Sequence, residues 1–334
     1  MGVIHLPARH RSHRWLVACL IGLVVIGAWL GRALLFESWT LASLPAFWWS
    51  GSDRFLLSAA GSDFDVSFAN YSTTQTSAAP FDDRVPPILH HVAMGGAGAA
   101  RQIEQWKEVR QSCLDIHPGW EAHIWTDEKA NAFVAEQFPE LREMWDGYKF
   151  PIQRIDALRY MVLYHYGGVI LDMDLQCRRA LGPLRRFDFV APAAHPTGFS
   201  VGFMMASQRN PFVGALVRNL RPYNRAWLGL PYPTVMFSTG CHYASTIHAY
   251  QPNRTTLKVL AGPPDNFRLH SLNGHVQTPI FNHLGSSSWH SYDAALIVSV
   301  GRMLGHKLPI LAVVAGVVVF VVVRRTKRRR AVRV

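Results

Sequence analysis

The stretch Pro151–Cys177, PIQRIDALRYMVLYHYGGVILDMDLQC, holds the densest set of chemically useful side chains. Asp172 and Asp174 flank Met173 directly after the apolar run Val169-Ile170-Leu171. Residues two apart on a strand face one side, so both carboxylates are predicted to converge at the mouth of a buried strand. Two such charges repel unless a cation offsets them. A hard divalent ion, Mn2+ or Mg2+, suits oxygen ligands. Alone, a D-x-D triplet is a weak signal, because surface loops produce it often; its position at a strand end strengthens it. Asp156 and Arg159 are three apart and share a helix face. They form either a surface ion pair, worth roughly a few tenths of a kcal/mol, or two groups aimed at the same cleft. Gly167-Gly168 gives a tight helix-to-strand turn with close backbone approach.

These groups need elements to hold them. Ile88–Val92 is predicted as a first strand and Trp120–Trp125 as a second. Arg101–Ile116 has Ile103, Trp106, Val109 and Cys113 at helical spacing. Asp127–Phe138 is predicted as a helix with Asp127 near its cap, and residues 151–166 as another. Strands alternating with helices indicate an α/β fold with parallel strands. Ligands in such sheets sit at the strands' carboxyl ends. A compact domain is expected over residues 86–295. Residues 37–85 are expected to form an interface segment and stalk. Their first part is rich in aromatics (Trp39, Phe47, Trp48, Trp49, Phe55), which suits either headgroup depth or ordinary packing. Residues 61–85 are rich in Ser, Thr and Ala and read as a linker.

The formal net charge of +12 is concentrated at the two ends. Residues 1–14 contribute +3 and residues 324–334 contribute +7, which leaves +2 for everything between. A basic nucleic-acid-binding body is thereby excluded. Each tail abuts an apolar run, so transmembrane helices are predicted over 15–36 and 303–323. A cleaved signal peptide fits the first run less well, because no clean A-x-A follows it. Positive charge stays cytoplasmic, so both tails (1–14 and 324–334) are expected in the cytoplasm and the body in the lumen. Two sequons, Asn70-Tyr71-Ser72 and Asn253-Arg254-Thr255, are candidate N-glycosylation sites there. Of the four cysteines, Cys113, Cys177 and Cys241 lie in the body, so at most one intramolecular disulfide can form within it.

The run Asp156-x-x-Arg159-Tyr160, Leu163-Tyr164-x-x-Gly167-Gly168, Asp172-x-Asp174 resembles glycosyltransferase family 32 throughout its spacing. Pro86–His90 and Trp120–Asp127 resemble that family's first two strands. Pro231–Gly240 (PYPTVMFSTG) and His283–His290 (HLGSSSWH) are similar to the fungal branch that mannosylates inositol phosphorylceramide. The resemblance covers about residues 86–295.

It implies a GT-A-type, Rossmann-like domain flanked by two membrane helices. It also implies a retaining, metal-dependent transfer of mannose from GDP-mannose to inositol phosphorylceramide at the Golgi membrane. A small regulatory membrane subunit is a further expected partner; nucleic acid is not. Asp174 would coordinate the metal, most plausibly Mn2+. Asp172 would contact the ribose or a metal-bound water, and His283 would return to the metal from a late loop. Asp156, Arg159, Gly168, Ser287, Ser288 and Trp289 would hold the donor. Where the family commonly carries Ser-Asn-Asp, this chain has Ser200-Val201-Gly202, which bears on sugar or acceptor selectivity. A Golgi mannosyltransferase acting on protein N-glycans, or a non-catalytic scaffold of the same fold, are the competing readings. The second apolar run argues against the former and the intact acidic set against the latter.

Overall fold

The structure is a computed structural model that describes residues 9–58, 63–95, 99–194, 197–227, 229–285, 293–294 and 299. Residues up to Arg225, together with those from Met236 to Ser286, form one compact unit; Ala226–Val235 belong to a second. The predicted helix over 303–323, the basic tail 324–334 and the donor-binding trio Ser287, Ser288 and Trp289 lie outside the described residues.

In chain order the elements begin with α1 (Arg9–Leu30), α2 (Arg32–Trp49), β1 (Leu56–Leu57), β2 (Ile88–Val92), α3 (Ala99–Gln105), α4 (Lys107–Asp115) and β3 (Glu121–Trp125). There follow α5 (Asp127–Gln137), α6 (Arg142–Asp146), α7 (Pro151–Tyr166), β4 (Gly168–Asp172), β5 (Leu175–Cys177), β6 (Phe189–Pro192) and β7 (Phe203–Ala206). The last are α8 (Pro211–Tyr223), α9 (Pro231–Ser238), α10 (Cys241–Ala249), β8 (Leu257–Leu260), β9 (Val276–Gln277) and β10 (Phe281–His283).

A seven-stranded sheet runs β1-β8-β6-β7-β4-β2-β3. Its pairs are parallel except where β7 meets β4 and β6. A smaller sheet, β5-β10-β9, is antiparallel. The mixed, mostly parallel arrangement agrees with the expected α/β class. The strand β4 shows how the layers are built. Val169, Ile170 and Leu171 are all fully buried. Ile170 belongs to the core beneath α7, α8 and α10. Val169 and Leu171 belong to the core on the other face, with Phe64, Leu175 and Phe281.

The expected boundary at residue 86 is corrected. β1 pairs in register with β8, Leu56 opposite Val259. Phe64, Val66 and Phe68 are buried against the sheet. Within the Ser/Thr/Ala-rich composition, Phe64, Val66 and Phe68 are apolar anchors on a run of turns built around Asp65, which accepts from the Ser67 and Asn70 N–H groups. The predicted helix 101–116 is also broken, at Trp106 between α3 and α4.

The expected span over 15–36 does not run as one helix. α1 and α2 meet at Gly31, and the pair Val17–Gly27 with Arg32–Trp49 is bent by 65°. Among the described residues no single helix is long and apolar enough to cross a membrane, but that bent pair meets length and composition together. The first part of α2 is inverted in polarity: it buries Glu37, Thr40 and Ser43 and exposes Leu34, Leu35, Trp39 and Leu41, while Leu44 and Trp48 are buried further along. Thr40 Oγ1 is 3.0 Å from His242 Nε2 on α10, so the polar face is the one docked on the domain.

One disulfide, Cys113–Cys177, joins α4 to β5. Several histidines are buried in the domain. Burial lowers His90 and His91 to about 3 and His117, His248 and His270 to about 4. Their folded values lie below the unfolded one, so between those values the unfolded chain binds more protons and stability rises with pH. The melting midpoint should therefore fall as pH is lowered from about 6.5 towards 4. Replacing His248 by Gln should make that fall shallower. A midpoint insensitive to pH across this window would contradict neutral burial.

Candidate active site

The helix α7 is the foundation of the site. Pro151 occupies its first turn, where its missing N–H costs nothing. The Gln153 side chain accepts from the Phe150 N–H (3.1 Å) and donates to Ser238 Oγ (2.8 Å). Gln153, Asp156 and Tyr160 form a buried polar stripe that meets Ser238, the last residue of α9, and Thr239 in the turn after it. Tyr160 Oη donates to the Thr239 carbonyl (2.6 Å) and Thr239 Oγ1 donates to Asp156 Oδ2 (3.1 Å).

Arg159 lies one turn on and is 6% exposed, too deep for a surface pair. Its Nη1 donates to Asp156 Oδ1 (2.5 Å) and its Nη2 donates to Asp172 Oδ1. Its Nε is buried with no hydrogen-bond partner among the described residues. Asp172 reaches the guanidinium because it shares a strand face with Ile170, the face that α7 covers. Burial raises the Asp156 carboxyl to about 7 against the opposing pull of Arg159 and Thr239. Burial also raises Asp172, again opposed by Arg159 and reinforced by the charge of Asp174. The guanidinium stays charged: desolvation works against it, but the two carboxylates outweigh that. Removing one partner of such a buried set typically costs about 3–5 kcal/mol.

The strand ends at Asp172, and the chain turns through Met173 and Asp174 into β5. Asp174 is 6% exposed and meets His283, with Nε2 to Oδ2 3.5 Å. β10 places that histidine: His283 is opposite Leu175, and the Leu284 N–H donates to the Asp174 carbonyl (3.0 Å). Desolvation lowers the His283 pKa, but the hydrogen bond to Asp174 and the charges of Asp174 and Asp172 raise it overall.

The structure thus joins Asp156, Arg159 and Asp172 in one cluster and Asp174 with His283 in another. Among the described residues no three His, Cys, Asp or Glu side chains converge as a metal-binding group. The predicted trio Asp172, Asp174 and His283 is divided, because Arg159 occupies one Asp172 oxygen. The donor types and charge still suit a divalent cation: three carboxylates face one guanidinium and one imidazole.

Two donor-binding expectations are corrected. Asp156 is 2% exposed with both oxygens engaged, so it positions Arg159 instead of meeting a ligand. Gly168 opens β4 at the end opposite Asp172, about 13 Å along the strand. Its role is the turn: its φ is +94°, and a Cβ there would lie 2.7 Å from the Ile88 carbonyl. Both sequon asparagines, Asn70 and Asn253, are exposed.

Thr239 is a site residue that the motif spacing does not point to, and Gly202 stands in the sequence only as part of the Val201-Gly202 departure. The only sequence signal for Thr239 was its place in the Pro231–Gly240 block. The Gly202 carbonyl accepts from the Asp172 N–H (2.9 Å), and a Cβ on Gly202 would lie 2.6 Å from Asp172 Oδ2. The departure at Val201-Gly202 therefore opens space beside the acidic cluster.

The site is thus a strand-end D-x-D held by a buried arginine on a mostly parallel sheet. A family model described as "Glycosyltransferase sugar-binding region containing DXD motif" matches residues 104–190. Inositol phosphoceramide mannosyltransferase 1 of Schizosaccharomyces pombe is 30% identical over 280 residues, covering 80% of this chain and 81% of its own. Mannosyl phosphorylinositol ceramide synthase SUR1 of Saccharomyces cerevisiae is 38% identical over 226 residues, 66% of this chain and 56% of its own. The CSH1 synthase of that yeast is 34% identical over 195 residues, 57% of this chain and 50% of its own. The match thus spans about half the length of the two yeast synthases. The chain is a glycosyltransferase and belongs to the mannosyl inositol phosphorylceramide synthase family. The D-x-D region of this class implies a divalent metal in general.

Gly202→Ala should push the Asp172 carboxylate off Arg159 and lower transfer by about 100-fold, as a misplacement of about 1 Å can. The same displacement leaves buried charge uncompensated, so the melting midpoint should fall as well, and transfer is scored well below it. Unchanged transfer would show that the space beside Asp172 has no part in the reaction.

Proposed function

We propose that the chain transfers mannose from GDP-mannose to inositol phosphorylceramide, with retention at the anomeric carbon. The observation that carries this reading is the D-x-D pair anchored by Arg159 and His283, in a chain whose relatives bear that activity in their names. Asp174 and His283, with the free side of Asp172, are the residues that would hold a divalent metal, Mn2+ in this proposal. Such an ion, when bound, offsets the charge of the departing diphosphate.

The chain's own groups have separate tasks. Arg159 fixes Asp172 at the end of β4 and supplies the buried positive charge of the centre. Asp156 and Thr239 hold Arg159 and take no part in the bond exchange. Burial of this set excludes water, which strengthens each charge interaction.

The proposed setting is the Golgi membrane, with two spans, a luminal domain and cytoplasmic tails. Three observations support it. The Cys113–Cys177 disulfide suits an oxidising compartment. The two sequons are exposed. α2 turns an apolar face outward, continuous with the exposed apolar residues of α1. A small regulatory membrane subunit would be an additional partner. The N-glycan reading gains no support from the names of the relatives.

The test supplies membranes containing the protein with labelled GDP-mannose, Mn2+ and either inositol phosphorylceramide or a glycoprotein. Label should enter the lipid, and Asp174→Asn should abolish transfer while the protein stays folded and membrane-bound. Label entering only the glycoprotein would refute the lipid acceptor, and full activity of Asp174→Asn would refute the metal assignment.

A further inference from the structure

Beyond the D-x-D cluster, the small sheet carries a second basic feature. β5 leaves the acidic turn at Leu175 and ends at Cys177; Arg178 and Arg179 follow directly. They line a polar cavity of about 580 Å³ with Ser67, Thr73, Gln277 and Thr278.

Both guanidinium groups are held from the protein side. The Arg178 N–H donates to the Ile280 carbonyl (2.9 Å), which prolongs the β5–β10 ladder. Arg178 Nη1 donates to the Thr278 carbonyl (2.7 Å). With its amide oxygen turned inward, Gln277 accepts from Arg178 Nη2 (3.0 Å). Arg179 Nη1 donates to the Tyr71 carbonyl (2.9 Å), and the Ala180 N–H donates to the Thr73 carbonyl (2.8 Å).

These partners are neutral. Neither Arg178 nor Arg179 forms an ion pair with a carboxylate among the described residues. The next two arginines in the chain each do: Arg185 pairs with Asp83 and Arg186 with Asp63. Two fixed, unneutralised guanidiniums with hydroxyl and amide neighbours match a phosphate, which accepts their forked donors bidentately.

We propose that this cavity binds the phosphodiester of the acceptor headgroup. The inference rests on the lipid-acceptor reading above and adds a location to it. Arg178 lies four residues beyond Asp174 along β5, about 13 Å. One end of the three-stranded sheet therefore holds the reacting groups, with Asp174 beside His283, and the other holds the anion site. The acceptor's phosphate anchors at the arginines while its cyclitol extends towards the donor sugar. Arg178 and Arg179 are positioning residues: they set where the headgroup sits and take no part in the bond exchange.

The test uses the full chain in detergent and sn-glycero-phosphoinositol, a water-soluble inositol phosphodiester, as probe. In the double variant Arg178→Ala/Arg179→Ala, probe affinity should fall by about tenfold or more, the loss expected for charge-assisted hydrogen bonds. The acceptor KM should rise in parallel, while GDP binding and acceptor-free donor hydrolysis stay unchanged. The Lys/Lys variant should restore part of the affinity.

A readout independent of folding uses the unaltered protein: the probe should shield Arg178 and Arg179 from phenylglyoxal, scored by mass spectrometry. Undiminished probe binding in the Ala/Ala variant, or no shielding, would overturn the proposal. Equal shielding by inorganic phosphate would also overturn it, as the mark of an unspecific anion site. GDP binding lost together with probe binding would overturn it by assigning the cavity to the donor. If the unaltered protein binds the probe through these arginines yet never mannosylates the lipid, the acceptor reading fails and the cavity stands. If it mannosylates the lipid and the variant does so with unchanged KM, the cavity alone fails.

Discussion

Arg159 is a single guanidinium shared by two carboxylates that come from different elements. Asp156 comes from its own helix and Asp172 from the end of a central strand. Charges this deep are tolerated only when they are mutually compensated and hydrogen-bonded. That condition ties α7 to β4 at one distance and one rotation. It also commits the turn at Thr239, since Asp156 takes its remaining bond from Thr239. Its strength lies less in added stability than in allowing a single arrangement, because any slip strands a buried charge.

The consequences spread along the chain in both directions. Beyond Asp172 the turn delivers Asp174 to β5, and the antiparallel partner β10 brings His283 to it. The disulfide fixes the far end of β5 to α4, so the turn between β4 and β5 is held from the large sheet on one side and by the disulfide-anchored strand on the other. On the other side, Thr239 and Gly240 lead into α10, whose His242 bonds Thr40 of α2. A chain of contacts through Thr239 and α10 thus links the acidic cluster to a helix that exposes Leu34, Leu35, Trp39 and Leu41. An enzyme whose acceptor resides in a bilayer gains from that closeness, since headgroup and donor must meet near the membrane surface.

Much of the site was legible in the sequence because its signals are local. The alternation of strand and helix, the i,i+3 pair Asp156/Arg159 and the strand-end Asp172 all follow from short-range periodicity. What was not legible depends on tertiary contact. Nothing in the spacing shows that Asp156 is sealed off by Thr239, which is 83 residues away. Gly168 sits close to the D-x-D in the sequence, but β4 runs its full length between them. The D-x-D reading placed both carboxylates on one strand, whereas the strand ends at the first and the second belongs to the turn. In the 61–85 segment the apolar anchors Phe64, Val66 and Phe68 sit on turns with no helix or strand period, and β1 is too short to stand out. The membrane-facing end was half legible: the apolar run was plain, but the bend at Gly31 and the inward polar face of α2 appear only when α10 is in place.

The central claim is that the forked geometry of Arg159, not merely its charge, holds the acidic cluster in its working form. Arg159→Lys keeps the charge but cannot bridge two carboxylates from one rigid fork. The most direct measurement is the mannosyl-transfer rate of that variant at saturating donor, alongside its melting midpoint. The account predicts a folded protein whose transfer falls by about 100-fold or more. A folded Arg159→Lys protein transferring at the rate of the unaltered enzyme would contradict it.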